Sequence, residues 1–376
     1  MNTALRHWKE AATLILAAGH RLGADNLSRT PRVGGDASRF EYDVLLLKRS
    51  SKSGFMPNAH VFPGGMVDSS DFSSDWLDIF KPFASSPSFG LRRVKQPVET
   101  RAPIFATDRL KLGSPVPGEV ALRICALRET FEESGVLLAV SKKEETRLLR
   151  SVEEDGCPAV RAAVRGGELA KWRALVNRDP SNFIRMCREL ELLPNIWALH
   201  EWSNWLTPEG RPGRPRFDTA FFLCCLQETP SALQDAKEIV QFQWATPSEI
   251  LQSYREQQLW IPPPQFYELS RLCRFPSLND LHKFAYRRAT EGCEQWMPVV
   301  VSEDDHYTSL MPGDKLYPLG SSGLSQAEDR QDDSGFHRIV FSDPYTPTLQ
   351  ISIKPKYNHL LPVVELAVSH TSKSHL

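Results

Sequence analysis

The sequence predicts an α/β protein, and three observations carry that expectation. Short apolar runs bounded by glycine, proline or charge read as strands. Helix-patterned stretches lie between them, the clearest from Val120 to Val136. The two kinds of element interleave along the chain instead of falling in separate blocks.

The run Ala11 to Ala18 follows Arg6 and Lys9 and imitates the apolar part of a secretory signal. It is at the short edge for that role and stops at Gly19, so it reads as a buried strand. Glu41 to Lys48 reads as a second, mostly buried strand after a loop over Ser28 to Ser38. His60 to Phe62 is a third, running into Pro63, Gly64 and Gly65. From Ser69 to Pro117 the chain is rich in Ser, Pro and Phe without clear periodicity, too long for an ordinary connection. Ala121, Ile124, Cys125 and Leu127 give the following helix its apolar side, and Gly135 stops it.

Lys142 to Leu190 is charged and helical in pattern. Strands are expected over Asn195 to Trp205, Phe217 to Leu226 and Val240 to Trp244. Thr246-Pro247-Ser248-Glu249 is a capping box with proline at the first helical position. Further helices are expected over Gln265 to Cys273 and Leu278 to Arg288, then short strands over Arg338 to Phe341 and Leu349 to Ile353.

Composition narrows the function. The chain has 376 residues, 41% hydrophobic and 24% charged, ample to bury a core. Lys+Arg is 45 against Asp+Glu 46, a net charge of −1. That balance disfavours binding nucleic acid or an anionic membrane by bulk charge. The seven cysteines form no C-x-x-C, which fits reduced, buried thiols better than disulfides or a zinc ribbon. No apolar run reaches the ~18 residues of a spanning helix.

The chemistry lies in Arg128-Glu129-Thr130-Phe131-Glu132-Glu133-Ser134-Gly135-Val136. Glu129, Glu132 and Glu133 fall on one helix face, where like charges repel. Hard divalent cations would relieve that repulsion through carboxylate oxygens. A solvated acidic face is the bland alternative, but Phe131 and Val136 are unlike the neighbours of one.

Here the sequence resembles the Nudix hydrolases. R-E-x-x-E-E-x-G is the second half of the Nudix box, G-x5-E-x7-R-E-U-x-E-E-x-G-U, with U apolar. Phe62-Pro63-Gly64-Gly65 resembles the segment that precedes the box, and the pattern resumes at Gly118-Glu119 after the long insertion. Counted from Glu119, the step to Arg128 is one residue longer than in the family, and Thr130 replaces an aliphatic residue. Leu45-Leu46-Leu47-Lys48-Arg49-Ser50 with Phe62-Pro63-Gly64-Gly65 is similar to the signature of coenzyme A-cleaving members. Asn58 and His60 depart from that signature.

The resemblance implies a Nudix α/β/α sandwich around a mixed sheet. It places the Nudix domain over 8–260, with insertions near 69–117 and 141–193, and an extension over 261–376. It implies metal-dependent hydrolysis of the diphosphate of coenzyme A and acyl-CoA to 3′,5′-ADP and (acyl-)4′-phosphopantetheine. Glu129, Glu132, Glu133 and the carbonyl of Gly64 would bind Mg²⁺ or Mn²⁺. Arg128 would orient the box, and Arg49, Gly64 and Gly65 would meet the substrate. The distal acid is open between Glu238, Glu201 and Asp235. Arg92, Arg93, Lys95, Arg214 and Arg216 are further candidates for the 3′-phosphate.

Ser374-His375-Leu376 has the small-basic-leucine form of a peroxisomal address, which predicts an import receptor as partner and the peroxisome as location. Two other readings stay open. One is a Nudix hydrolase of NADH, a nucleotide sugar or capped RNA. The other is a non-catalytic Nudix-fold binder, which has no need of three crowded carboxylates.

Overall fold

The computed structural model describes residues 8–20, 39–54, 56–83, 86–153, 167–209, 215–230, 239–303, 306–318 and 335–363. The chain opens with β1 (Lys9–Gly19) and β2 (Tyr42–Arg49), then two short strands, β3 (His60–Val61) and β4 (Gly64–Met66). Short helical turns follow, among them α1 (Trp76–Ile79) and α2 (Pro103–Ala106), before the long α3 (Gly118–Ser134). A second excursion runs through β5 (Ala139–Ser141), α4 (Glu145–Glu153), α5 (Gly167–Val176), α6 (Asn182–Glu189) and β6 (Leu192–Pro194). Strands β7 (His200–Leu206), β8 (Phe217–Leu226) and β9 (Ile239–Ala245) lead to helices α7 (Pro247–Arg255), α8 (Pro263–Leu272) and α9 (Leu278–Arg288). Last come β10 (Gln295–Trp296), β11 (Val299–Glu303), β12 (His306–Leu310), β13 (His337–Phe341) and β14 (Pro347–Ile351).

The main sheet is mixed and runs β10-β7-β8-β1-β2-β3, with β4 on β1 and β9 on β2. Its centre is the parallel pair β1 and β8, in register from Lys9 opposite Phe217 to Ala18 opposite Leu226. The run that imitates a signal sequence is therefore the innermost strand. Its residues alternate between two cores, as a strand buried on both faces must. Leu14, Leu16, Leu45 and Leu47 pack on the α3 side. Ile15, Ala17, Val44 and Leu46 pack on the side of α7, α8 and α9. The result is the helix-sheet-helix sandwich that the resemblance implies.

The site arises from a splay in this sheet. β1 and β2 pair only where Ala17, Ala18 and Gly19 face Val44, Asp43 and Tyr42. They then part, and residues 60–66 bridge the wedge. β3 pairs with β2 at Leu47 and Lys48, while β4 pairs with β1 at Ala11 to Thr13. Pro63, between them, accepts at its carbonyl from the Leu14 amide.

The segment 69–117 is more ordered than its sequence suggests. Its turns bury Trp76, Phe80, Phe83, Phe89, Ile104 and Phe105 in the α3-side core. Single aromatic residues on successive short turns do this without leaving a helical stripe in the sequence. Sequence patterning also passes over β11 and β12, which with β13 and β14 form a four-stranded antiparallel sheet. The capping box at Thr246 and Glu249 forms as expected and opens α7. The loop at Ser28 to Ser38 lies outside the described residues. No described helix is long and apolar enough to cross a membrane.

Candidate active site

The site is α3 laid against the residue 60–66 bridge. Gly135, in the left-handed conformation at φ 73°, ends the helix just after its three glutamates. Arg128 is only 2% exposed, and its five N–H bonds meet five oxygens. Nε donates to Asp71 Oδ1 at 2.9 Å and Nη2 to Asp71 Oδ2 at 2.9 Å. Nη2 also donates to the Met66 carbonyl at 3.0 Å. Nη1 donates to Glu129 Oε1 at 2.9 Å and Glu132 Oε1 at 2.8 Å. Burial works against its charge, but the bonds and charge of Asp71 hold Arg128 firmly protonated. A fully used guanidinium has nothing left for a substrate, so Arg128 organises the box.

This corrects the register read from sequence. The acid paired with Arg128 is Asp71, not Glu119. Glu119 lies 3.9 Å from Arg101 and is 24% exposed. Gly65 and Asp71 stand at the G-x5-E spacing of the box, with aspartate for glutamate. The insertion thus falls after the box's first acid. Asp71 is fixed twice, since its Oδ2 also accepts from the Asp68 amide at 2.9 Å in a capping box. Stepping over the five residues after Gly65 leads to Asp71, the signal in the sequence that marks it.

The two glycines shape the other wall. The Gly64 amide donates to Glu133 Oε2 at 2.9 Å, fixing that carboxylate on the bridge. Gly64 has φ 154°, and a Cβ there would sit 2.4 Å from the Ala12 carbonyl oxygen. A Cβ on Gly65 would lie 2.5 Å from the Glu129 carboxylate. Gly65→Ala is therefore expected to displace Glu129 and cut turnover sharply, at a stability cost of about 1–3 kcal/mol. Parallel kinetics and thermal melts check this; unchanged turnover would show that Glu129 does not need that position.

Burial pushes Glu129 up to about 7; Arg128 pulls it down and Glu132 pushes it further up. An unfolded Glu129 ionises near its ordinary 4.5, the folded one near 7. Between those values the folded state holds the extra proton, so stability falls as pH rises. With chelator present, Tm is expected to decline over that window, and Glu129→Gln to flatten the decline.

Among the described residues, no three His, Cys, Asp or Glu side chains stand together in a metal-ligating arrangement. Glu129 and Glu132 are both drawn onto the Arg128 nitrogen. The donors are nonetheless hard oxygens, suited to Mg²⁺ or Mn²⁺. The close approach of the Gly65 backbone to Glu129 leaves a cradle that any side chain would fill.

Other candidates fall elsewhere. Arg49, the last residue of β2, donates to Ser53 Oγ at 2.9 Å. His60 is buried on β3, and its ordinary value is lowered, by burial first and then by Lys48. Glu201 is 1% exposed and locked by Arg101, whose Nη1 and Nη2 reach its two oxygens at 3.0 and 2.7 Å. It is a structural acid, not the distal base. Asp235, Glu238 and Arg214 lie outside the described residues, as do Ser374, His375 and Leu376. Arg92 stacks on Tyr286 and Lys95 pairs with Glu291, both against the end of α9. Arg216 lies 3.7 Å from Glu209. Trp197, Trp202, Trp205, Phe221 and Phe222 are core residues, and Phe217 is half-buried.

Comparison with known proteins identifies the family. Residues 8–272 match the NUDT19 Nudix domain, and residues 300–352 the NUDT19 C-terminal domain. The chain is 48% identical over 398 residues to the acyl-coenzyme A diphosphatase NUDT19 of Xenopus laevis, covering 100% of both chains. It is 41% identical over 393 residues to the Homo sapiens protein of that name, again covering 100% of both. A solved Nudix hydrolase from Alicyclobacillus acidocaldarius aligns over 73% of this chain and 96% of its own, at 20% identity and TM-score 0.49. The chain belongs to the Nudix hydrolase family, in the group defined by the NUDT19 Nudix and C-terminal domains.

Proposed function

We propose that this chain hydrolyses the diphosphate of coenzyme A and acyl-CoA, yielding 3′,5′-ADP and (acyl-)4′-phosphopantetheine. The observation that carries the proposal is the face of Glu129, Glu132 and Glu133 set against Gly64 and Gly65 by Arg128. The full-length likeness to proteins named acyl-coenzyme A diphosphatases supports the substrate class.

Glu129, Glu132, Glu133 and the Gly64 carbonyl would hold Mg²⁺ or Mn²⁺. Bound there, the ion supplies positive charge to the diphosphate oxygens and acidifies water. The rest is work for the chain's own groups. Arg128 holds Glu129 and Glu132 side by side through its Nη1. The Gly64 amide fixes Glu133. Glu129 Oε2, the oxygen not held by Arg128, would be the one to accept a proton from water. Arg49, Gly64 and Gly65 would meet the substrate.

A substrate panel tests this. Coenzyme A and acyl-CoA should show a higher kcat/KM than NADH, ADP-ribose and capped RNA. Faster cleavage of another nucleotide would keep the site and overturn the substrate class. We extend the proposal to peroxisomal delivery through Ser374, His375 and Leu376. A fluorescent reporter ending in this tail should enter peroxisomes, and one lacking the last three residues should stay outside.

A further inference from the structure

A second polar site lies away from the box, where β7, α9 and β10 meet the segment 354–363. Arg288, near the end of α9, is 2% exposed. Its Nη1 donates to the Glu201 carbonyl at 2.9 Å and its Nη2 to the Gly292 carbonyl at 2.9 Å. Neither acceptor carries a charge. The neighbouring cations are matched differently. Arg271 has Glu268 at 2.7 Å, Arg101 has Glu201 at 2.7 Å, and Lys356 has Glu294 at 3.7 Å. Among the described residues Arg288 has no carboxylate within ion-pair distance, and its Nε has no hydrogen-bond partner. Its guanidinium lies over the Trp202 ring at 5.8 Å, but a buried guanidinium without a direct ion pair is costly. Burial, reinforced by Arg271, pushes Arg288 down to about 10.

His359 supplies a second donor. Arg271 Nη2 lies 3.1 Å from His359 Nδ1. A guanidinium only donates, so Nδ1 must accept. Burial and the adjacent arginines keep the ring neutral. A neutral ring accepting at Nδ1 carries its proton on Nε2, so Nε2 is a donor. Among the described residues that buried Nε2–H also has no hydrogen-bond partner. Arg288 and His359 line one small cavity together with Ser203, Trp296, Lys356 and Glu294. Lys356 neutralises Glu294 there, which leaves the positive charge of Arg288 in excess.

We propose that this cavity is a binding site for a small inorganic anion of halide size, held by Arg288 Nε–H and His359 Nε2–H. The cavity has a volume of about 10 Å³, room for a single small ion or water. The anion would supply the counter-charge of Arg288 and tie the 354–363 segment to the edge of the main sheet.

The test is diffraction from crystals of the full chain soaked in bromide. An anomalous peak within hydrogen-bond distance of Arg288 Nε and His359 Nε2 is expected. An ordered water there without anomalous signal, or a cavity without density, would overturn the proposal. A solution measurement backs it. Raising chloride at constant ionic strength, with gluconate as the balancing anion, should raise Tm by a few degrees and saturate. His359→Phe should lose that dependence, while Lys111→Gln, on the exposed side of the insertion, should keep it. A chloride response equal in all three proteins would also count against the site.

Discussion

Replacing Glu133 with glutamine is expected to lower kcat for coenzyme A by about two to three orders of magnitude while leaving the fold intact. The substitution separates charge from shape. Glu133 Oε2 accepts from the Gly64 amide at 2.9 Å, and a glutamine oxygen can accept the same bond. What disappears is one negative charge from a set of three on a single helix face. Cation affinity falls with it, so more Mg²⁺ should be needed for half-maximal turnover. Kinetics across a Mg²⁺ titration, with melts of both proteins, checks this. Turnover within a few-fold of the parent would place the chemistry elsewhere.

The largest stability effect is expected at the Arg128–Asp71 pair. Both residues are buried, at 2% and 1% exposure. Breaking such a pair from one side costs about 3–5 kcal/mol, because the surviving charge stays buried without compensation. Arg128→Met strands Asp71 and leaves Glu129 and Glu132 to repel. Asp71→Asn leaves the guanidinium short of its bidentate partner. Glu119→Gln provides the contrast. At 24% exposure and 3.9 Å from Arg101, it is a solvent-screened contact, worth about 0–1 kcal/mol. Urea denaturation of the three variants separates the two registers of the box. If Glu119→Gln cost more than Asp71→Asn, the assignment of Asp71 would fall.

Those two acids also mark how far the sequence could be read. The innermost strand was legible because Ala11 to Gly19 is apolar on both faces, a pattern suited to a central parallel strand. The glutamate face of α3 was legible because helical spacing alone brings Glu129, Glu132 and Glu133 together. Asp71 was hidden by distance, lying 57 residues before Arg128, and by being an aspartate where the family pattern has glutamate. The commitment of Glu201 was hidden for the same reason. Its partner Arg101 comes from the insertion, 100 residues away. Long-range pairs of this kind leave no periodicity. The strands β11 and β12 escaped notice because they are short and partly exposed, without the strict alternation that marks a half-buried strand.

The most direct single measurement is chromatographic product analysis of coenzyme A incubated with the purified chain, with Mg²⁺ and with chelator. The expected result is 3′,5′-ADP together with 4′-phosphopantetheine, formed only when Mg²⁺ is present. Intact coenzyme A under both conditions, from a protein that melts cooperatively, would contradict the assignment of this site to diphosphate hydrolysis.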